Sequence, residues 1–563
     1  MQSLDLMVIA VYAVSVLAAG VVFSRSGVDM NSFFGAGGQA PWWLSGLSLY
    51  MSFFSAGAFV VWGGIAYQWG WVAITINWTI SLGGVVTAIW IAHRWKRTGV
   101  LTAAEFLGRR LGTPIQQFYT YMHMVFLTFA AGGVLYPVSK MVAVSSPFSL
   151  TTSAIVLGAI ITIYTAIGGL WAVLVTDTLQ FVVLLAAVII LLPLAIPAAG
   201  GFSGFVTRAP DGFFGLTNGE FTWGFVIPYT LYHIMLVGGK WPYVQRYTSV
   251  PDERSARKVA LLFAGLYLFN PVLFMLPSML YRVVEPGLRG LETENAFILM
   301  CQRVLPPGLI GLMLAAMLSS SASCANTILN LLAAVVTNDV YKKVVHPAAS
   351  QRTLVVIGRI ATVVFGAAMV VIAVLVPRMG GLVEMVLTIA ALSGGAIMLP
   401  PIWALLSKRL TAAGAVRATL VSLGINGFLK FAAPVWPLFK LARATEMISG
   451  VGIPLLILAG FELAAARRNT TDPGYLRVTQ GSPAGAVAAI VPASALDQGR
   501  FGVQVVAIAL LYIAACLVLL SALIRHSRLL VASVGFVICP AGILLWRLQQ
   551  RAGARAAPAS PVV

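Results

Sequence analysis

Apolar residues along this chain run together in stretches about as long as a membrane is thick, and polar residues collect in the gaps between them. Fifteen such stretches stand out, at roughly 4–24, 41–66, 70–93, 114–144, 150–168, 172–198, 221–241, 257–281, 306–337, 353–377, 380–407, 411–430, 446–466, 502–524 and 529–547. A helix needs about 20 mainly apolar residues to cross a hydrocarbon core of ~30 Å. The pattern therefore predicts an all-α polytopic membrane protein of about fifteen transmembrane helices.

Two of these spans are interrupted. The second carries SFFSAGA (52–58) in mid-span, with Gly63 and Gly64 beyond it, and the seventh carries HIMLVGGKWP (233–242), a glycine pair followed by Pro242. The breaks lie five spans apart. If spans two to six and seven to eleven are two halves, each half begins with a broken helix, and an odd number of spans per half turns the second upside down. That is the sequence sign of an inverted-repeat secondary transporter. An unwound turn exposes carbonyls and helix ends that lipid cannot satisfy, so it belongs beside a cavity or a ligand; a kink used for packing is the other reading of either break alone. Residues 1–40 then hold an extra helix and a cytoplasmic loop, 41–198 and 199–407 the two repeats, and 408–467 peripheral helices. A Pro/Ala/Gly-rich cytoplasmic linker follows at 468–500, two C-terminal helices at 501–550, and a disordered tail at 551–563.

Composition agrees with the pattern. The chain has 563 residues, 59% of them hydrophobic and only 9% charged, too apolar for any water-soluble core of this size to hide. Its +19 formal charge comes from 36 Lys plus Arg against 17 Asp plus Glu. Cytoplasmic loops of membrane proteins gather such cations, and no basic stripe interleaved with aromatics marks a nucleic-acid surface. The segment 94–112 holds five basic residues, and 243–258 and 341–352 add Arg246, Arg254, Arg257, Lys258, Lys342, Lys343 and Arg352. All fall on one side if the N-terminus is outside, which makes that side cytoplasmic and places the protein in the cell (inner) membrane with a cytoplasmic C-terminus. Arg525 and Arg528 run against this rule. The four cysteines are scattered and form neither a metal motif nor a disulfide framework. The start MQSLDLMVIA has Asp5 where a signal peptide has a positive segment, so it reads as an uncleaved first span.

The ninth span carries the most polar run, LSSSASCAN. On a helix Ser319 and Ser323 share a face and Ser320 lies beside them. Their hydroxyls are neutral oxygen donors for a small hard cation, and with carbonyls from the broken second span they could complete a shell of about five oxygens. Small-residue packing between helices accounts for the same residues.

NSFFGAGGQAPWWLSGLSLYMSFFSAGAFVVWGGIAYQWG, VLTAAEFLGRRLG, YTAIGGLWAVLVTDTLQ, WPYVQRYTSV and LMLAAMLSSSASCANTILNLLAAVVTNDVY resemble the sodium/solute symporter family, that of the sodium/glucose, sodium/proline and sodium/pantothenate carriers. The resemblance covers about residues 1–467. It implies a leucine-transporter-like five-plus-five inverted-repeat core with extra flanking helices. It also implies a sodium ion held by the carbonyls of Met51, Phe54 and Ala316 and the hydroxyls of Ser319 and Ser320. Asp177 matches a position linked to sodium release at the cytoplasmic side, a capping carboxylate being the other reading. Ser321, Ser323 and Asn326 are then left to packing.

On the solute side the positions that are polar or gating in sugar carriers match Phe53, Ala58 and Leu236 here, and an acidic sugar contact matches Asn77. A sugar ring loses many hydrogen bonds in so apolar a site, so hexoses rank below smaller or less hydroxylated solutes. Candidate contacts are Phe53, Gly57, Asn77, Trp78, His233 and Leu236. Lys140 and Lys240 sit near span ends where a lysine snorkels, unless the broken helix draws Lys240 inward. Glu384 is a vestibule or interfacial residue.

The expected function is sodium-coupled symport of a small organic solute by alternating access. A proton-coupled transporter of the same fold and a non-transporting solute sensor are the alternatives. A membrane enzyme would show clustered acid/base or metal-binding residues, and none are paired here. The expected partners are the solute, sodium and the lipid bilayer, with no obligate protein partner marked in the sequence.

Overall fold

The computed structural model describes residues 2–24, 38, 40–100, 102–165, 170–432, 436, 441–480, 493–524 and 527–556. In lipid the backbone must satisfy its own hydrogen bonds, and the long apolar runs do so as helices. Among the described residues eleven helices are long and apolar enough to span a membrane, twelve with one bent pair counted as a single span.

In chain order the first elements are α1 (Ser3–Ser24), α2 (Trp42–Phe53), α3 (Ala58–Trp69), α4 (Val72–Arg97), α5 (Thr113–Ser145), α6 (Leu150–Thr165) and α7 (Leu170–Ala198). Then come α8 (Trp223–Gly239), α9 (Trp241–Thr248), α10 (Glu253–Val284), α11 (Leu309–Ala334), α12 (Gln351–Leu375) and α13 (Leu382–Leu406). The chain continues through α14 (Ala412–Ala432), α15 (Arg443–Arg467), α16 (Ala493–Leu523) and α17 (Arg528–Ala556). The remaining expected spans fall on α1, α6 and α8, which are shorter or less apolar over the described residues.

Both expected breaks are present. α2 and α3 meet at 59°, and Lys240, in extended conformation, separates α8 from α9. α11 lies deepest, with 78% of its apolar window buried, whereas α17 at 22% faces outward. Around α11 pack α1, α2, α5 and α7, while α8 packs on α4 and α13 and α10 packs on α2 and α4. α16 and α17 pair with each other and pack on the rest chiefly at α7, with Val506 and Leu510 also against Leu44 of α2.

Side chains fix several of these contacts. Asp5 of α1 accepts from the Gly308 and Gly311 N–H groups at 2.6 and 3.0 Å, capping α11 from a neighbouring helix. α1 and α11 therefore begin on the same side. The approach is so close that a Cβ on Gly311 would lie 2.4 Å from the Asp5 carbonyl oxygen. Gly83 does the same for α4 and α8, since a Cβ there would meet the His233 backbone at 2.9 Å.

The stretch read as a linker at 468–500 holds a helix, Pro473–Gln480, and α16 starts within it at Ala493. Arg110, buried to 1%, pairs with Asp472 and donates to the Ser407 and Leu410 carbonyls, so this stretch is anchored to the bundle. Helix α17 runs to Ala556, and the rest of the expected tail lies outside the described residues.

Candidate ion and solute site at the broken helices

α2 ends at Phe53, and Phe54 turns extended with its N–H donating to the Tyr50 carbonyl at 2.9 Å. The last carbonyls of a helix have no partner within it, and among the described residues no N–H donates to those of Met51 and Phe54. Across the gap, the Ala56 N–H donates to Ser321 Oγ at 3.1 Å and Cys324 Sγ lies 3.5 Å from the Ser52 carbonyl. The break is thus stitched to α11.

Side chains on α11 step about 100° around the axis per residue. Ser323 faces α7, where its hydroxyl bonds to Asp177, and Cys324 faces α2. Ser320 lies in the seam between them and turns its hydroxyl back to the Met317 carbonyl at 3.0 Å. Ser319 lies on the far side of Ser323 from this seam, beside the Tyr12 hydroxyl of α1 and outside hydrogen-bond geometry. Ala316 is fully buried one turn before Ser320. Two assignments change as a result: Ser321 and Ser323, left to packing by the sequence, bond to the break and to Asp177. Asn326 stays within its own helix, accepting from Asn330 at 2.7 Å.

Asp177 is fully buried inside α7, away from its first turn, so it is not a cap. Its second oxygen accepts from Ser48 Oγ of α2 at 2.7 Å, and Ser48 Oγ in turn accepts from Arg246 Nε of α9 at 3.3 Å. A buried carboxylate and a buried guanidinium are thereby joined through one hydroxyl at the meeting of α2, α7, α9 and α11.

Beside the break lies a cavity of about 230 Å³. Of the expected solute contacts, Phe53, Gly57, His233 and Leu236 line it. Asn77 and Trp78 do not: Asn77 donates to Ala73 of its own helix at 2.8 Å, and Trp78 donates to the Leu268 carbonyl at 2.9 Å. His233 Nδ1 lies 2.7 Å from Thr79 Oγ1, whose hydrogen goes to the Ile76 carbonyl at 2.6 Å. His233 Nδ1 is therefore the donor, and the neutral ring keeps Nε2 as an acceptor. Phe53 stacks near Tyr243 and meets Tyr267 edge-on, with centroids 5.7 and 5.4 Å away.

The sequence reading did not place His123, Tyr243, Tyr267 or Trp62 in this wall. Lys240 is drawn inward by the break and lines the cavity as well. Lys140 does not snorkel: it pairs with Glu294, whose side chain is 3% exposed, and donates to the Leu291 carbonyl at 2.8 Å. Glu384 pairs with Lys430 at 2.9 Å and Arg443 at 2.8 Å.

A helical bundle with two broken helices meeting a polar helix beside a buried cavity is the architecture of an alternating-access secondary transporter. The family model "Sodium:solute symporter family" matches residues 33–422, and the chain belongs to that family. It is 26% identical over 407 residues to sodium/glucose cotransporter 1 of Ovis aries, covering 63% of this chain and 60% of that one. Solute carrier family 5 member 4B of Mus musculus is 26% identical over 66% of this chain and 62% of its own length. The chain thus spans under two thirds of these relatives. It covers 93% of the sodium/glucose cotransporter of Vibrio parahaemolyticus, at 24% identity over 84% of its own length.

Among solved structures, a Na⁺-coupled sialic acid symporter in a substrate-bound outward-open state superposes with a TM-score of 0.70 at 17% identity, over 84% of this chain and 99% of that one. A nucleobase-cation-symport-1 family transporter in a closed conformation reaches 0.51 at 12% identity, over 78% and 96%. The fold is the leucine-transporter-like five-plus-five inverted-repeat core with flanking helices.

Proposed function

We propose that the protein is a sodium-coupled symporter that imports a small organic solute by alternating access. The observation that carries this reading is the break between α2 and α3. It leaves the Met51 and Phe54 carbonyls without hydrogen-bond donors among the described residues, beside the hydroxyl-rich face of α11, in a chain that belongs to the sodium:solute symporter family. Sodium, a transported substrate here, would take those carbonyls with Ala316, Ser319 and Ser320. Ser320 turns its hydroxyl from Met317 into the seam, and Ser319 rotates away from α1. Binding there holds α2 against α11 and favours the outward-open form. The solute, held among Phe53, Gly57, His233 and Leu236, favours closure, so each ligand strengthens the other. Asn77 and Trp78, outside the cavity wall, are contacts only in another conformation. Asp177 accompanies sodium release at the cytoplasmic side. The basic loops support a cell-membrane protein with its N-terminus outside.

Uptake by purified protein in liposomes tests this, with a sodium gradient and separately a proton gradient, over sugars, amino acids, monocarboxylates and vitamins. Sodium-driven accumulation of one class supports symport. Proton-driven accumulation indifferent to sodium points to the proton-coupled variant, for which the buried Asp177 carboxylate is the natural carrier. Solute binding without accumulation points to a sensor.

A further inference from the structure

Lys240 is the one lysine or arginine whose side chain lines the solute cavity, and no aspartate or glutamate lines it among the described residues. Its position follows from the backbone. The helix stops at Gly239 and restarts at Trp241, so residue 240 stands extended between two helix ends and projects where a continuous helix would not carry it. The ammonium has three donors but among the described residues makes a single long hydrogen bond, 3.4 Å to the Tyr243 hydroxyl, and lies 5.0 Å from the centroid of that ring. The buried carboxylate of Asp177 is already engaged by Ser48, Ser323 and the Arg246 system.

A cation in an apolar cavity costs much free energy unless an anion meets it. A second group in the same wall lacks a partner. His123, 3% exposed, donates through Nδ1 to the Tyr119 carbonyl at 3.0 Å, while its Nε2 has no hydrogen-bond partner among the described residues. The rest of the wall is largely aromatic and aliphatic, with Phe53, Trp62, Tyr229, Tyr232 and Tyr267 prominent.

We infer that the co-transported solute is a small organic monocarboxylate with an apolar or aromatic body, its carboxylate paired by Lys240. The inference rests on the symporter reading above. One fixed cation matches one negative charge. A phosphate dianion would keep one charge uncompensated in this apolar wall, since Arg246 points away to Ser48. The body of the acid lies against the rings around Phe53, and Nε2 of His123 is free to accept a hydrogen from a hydroxyl on the ligand.

The test is sodium-driven uptake of propionate, lactate, benzoate and phenylacetate, each beside its primary amide, by wild-type, Lys240→Met and Lys240→Arg protein in liposomes. At least one acid should be accumulated and its amide excluded. Lys240→Met should raise the half-saturating acid concentration about tenfold or more, the scale of a lost charge-assisted hydrogen bond, with Lys240→Arg retaining more. Lys240→Met places an apolar chain of similar length in an apolar wall, and an unchanged melting temperature verifies that it folds. Equal uptake of acid and amide, sodium-driven uptake of neutral solutes only, or an unaltered half-saturation in Lys240→Met overturns the inference while leaving symport intact. If no solute moves with sodium, the symporter reading fails instead. Calorimetric binding of the same acids to wild-type and Lys240→Met protein in detergent then decides the role of Lys240 alone: tighter binding by wild type supports it, and equal or absent binding overturns it.

Discussion

Ser48 of α2 and Asp177 of α7 are joined by a 2.7 Å hydrogen bond in which the hydroxyl donates to a fully buried carboxylate. Ser323 of α11 bonds to the other carboxylate oxygen, so this one side chain ties the helix before the break to the helix that faces it. Any motion that separates α2 from α11 on this side must break one of the two bonds.

Asp177→Asn keeps the shape and removes the charge. Buried Arg246 then loses its nearest counter-charge, and breaking a buried pair from one side costs about 3–5 kcal/mol. The variant should melt well below wild type. Adding Arg246→Gln should recover part of the loss, because the residues share one network. Additive losses in the two single variants and the double variant would mean that the charges act independently. Ser323→Ala leaves the Asp177–Ser48–Arg246 link in place and should change the rate of sodium-dependent uptake more than the melting temperature.

At the proposed sodium site, Ser320→Ala and Ser319→Ala should each raise the half-saturating sodium concentration in uptake with little loss of folded protein. Ser320 lies in the seam and Ser319 beside Tyr12, so the larger effect is expected at Ser320. Sodium dependence identical to wild type in both variants would remove the site. Ser321→Ala is the contrast: it strands the Ala56 N–H, which costs about 1–3 kcal/mol for a buried donor. It should lower stability with little change in sodium affinity.

Gly83 marks where α4 and α8 touch. A methyl group there would lie 2.9 Å from the His233 carbonyl carbon and oxygen. Gly83→Ala must push α8 away, with an overpacking cost of about 1–3 kcal/mol. It also pulls His233 from Thr79, so a lowered melting temperature should come with weaker solute uptake. Wild-type uptake and melting would show that α8 yields without moving the cavity wall.

Much of this was legible in the chain because its signals are local. Apolar runs of spanning length became helices, and SFFSAGA and VGGKWP broke where glycine and proline disfavour a helix. The roles of Ser321 and Ser323 were not legible. Helical periodicity orders side chains around an axis but does not say which neighbour each face meets, and that depends on the placement of α2 and α7. The same holds for Lys140. Proximity to a span end made it a snorkelling residue, and only the fold brings Glu294, 154 positions away, to its amine. Asn77, named from its match to a sugar-contact position, bonds to its own backbone outside the cavity wall, a placement that the sequence does not carry.

Glu294 closes the end of the bundle at which α13 begins. It accepts from the Leu382 N–H at 3.0 Å and from the Tyr136 hydroxyl at 3.0 Å, and it pairs with Lys140 of α5. One carboxylate therefore joins α5, α13 and the 3-10 turn Gly290–Asn295. The solute cavity lies below it, with Gly133 of α5 and Leu382 and Met385 of α13 in the wall. Opening on this side must pull α5 or α13 off Glu294. A desolvated pair released into water regains the hydration it gave up, so closed and open arrangements can be near balance. Glu294→Gln keeps an acceptor for Leu382 and weakens the hold on Lys140, and should shift the balance toward open. A cysteine placed at Leu382 or Gly133 should then react faster with a polar thiol reagent added on that side, while sodium should accelerate the wild-type protein toward the same rate. Equal labelling in wild type and Glu294→Gln, with and without sodium, would mean that the Glu294 junction is a fixed brace and that the moving parts lie elsewhere.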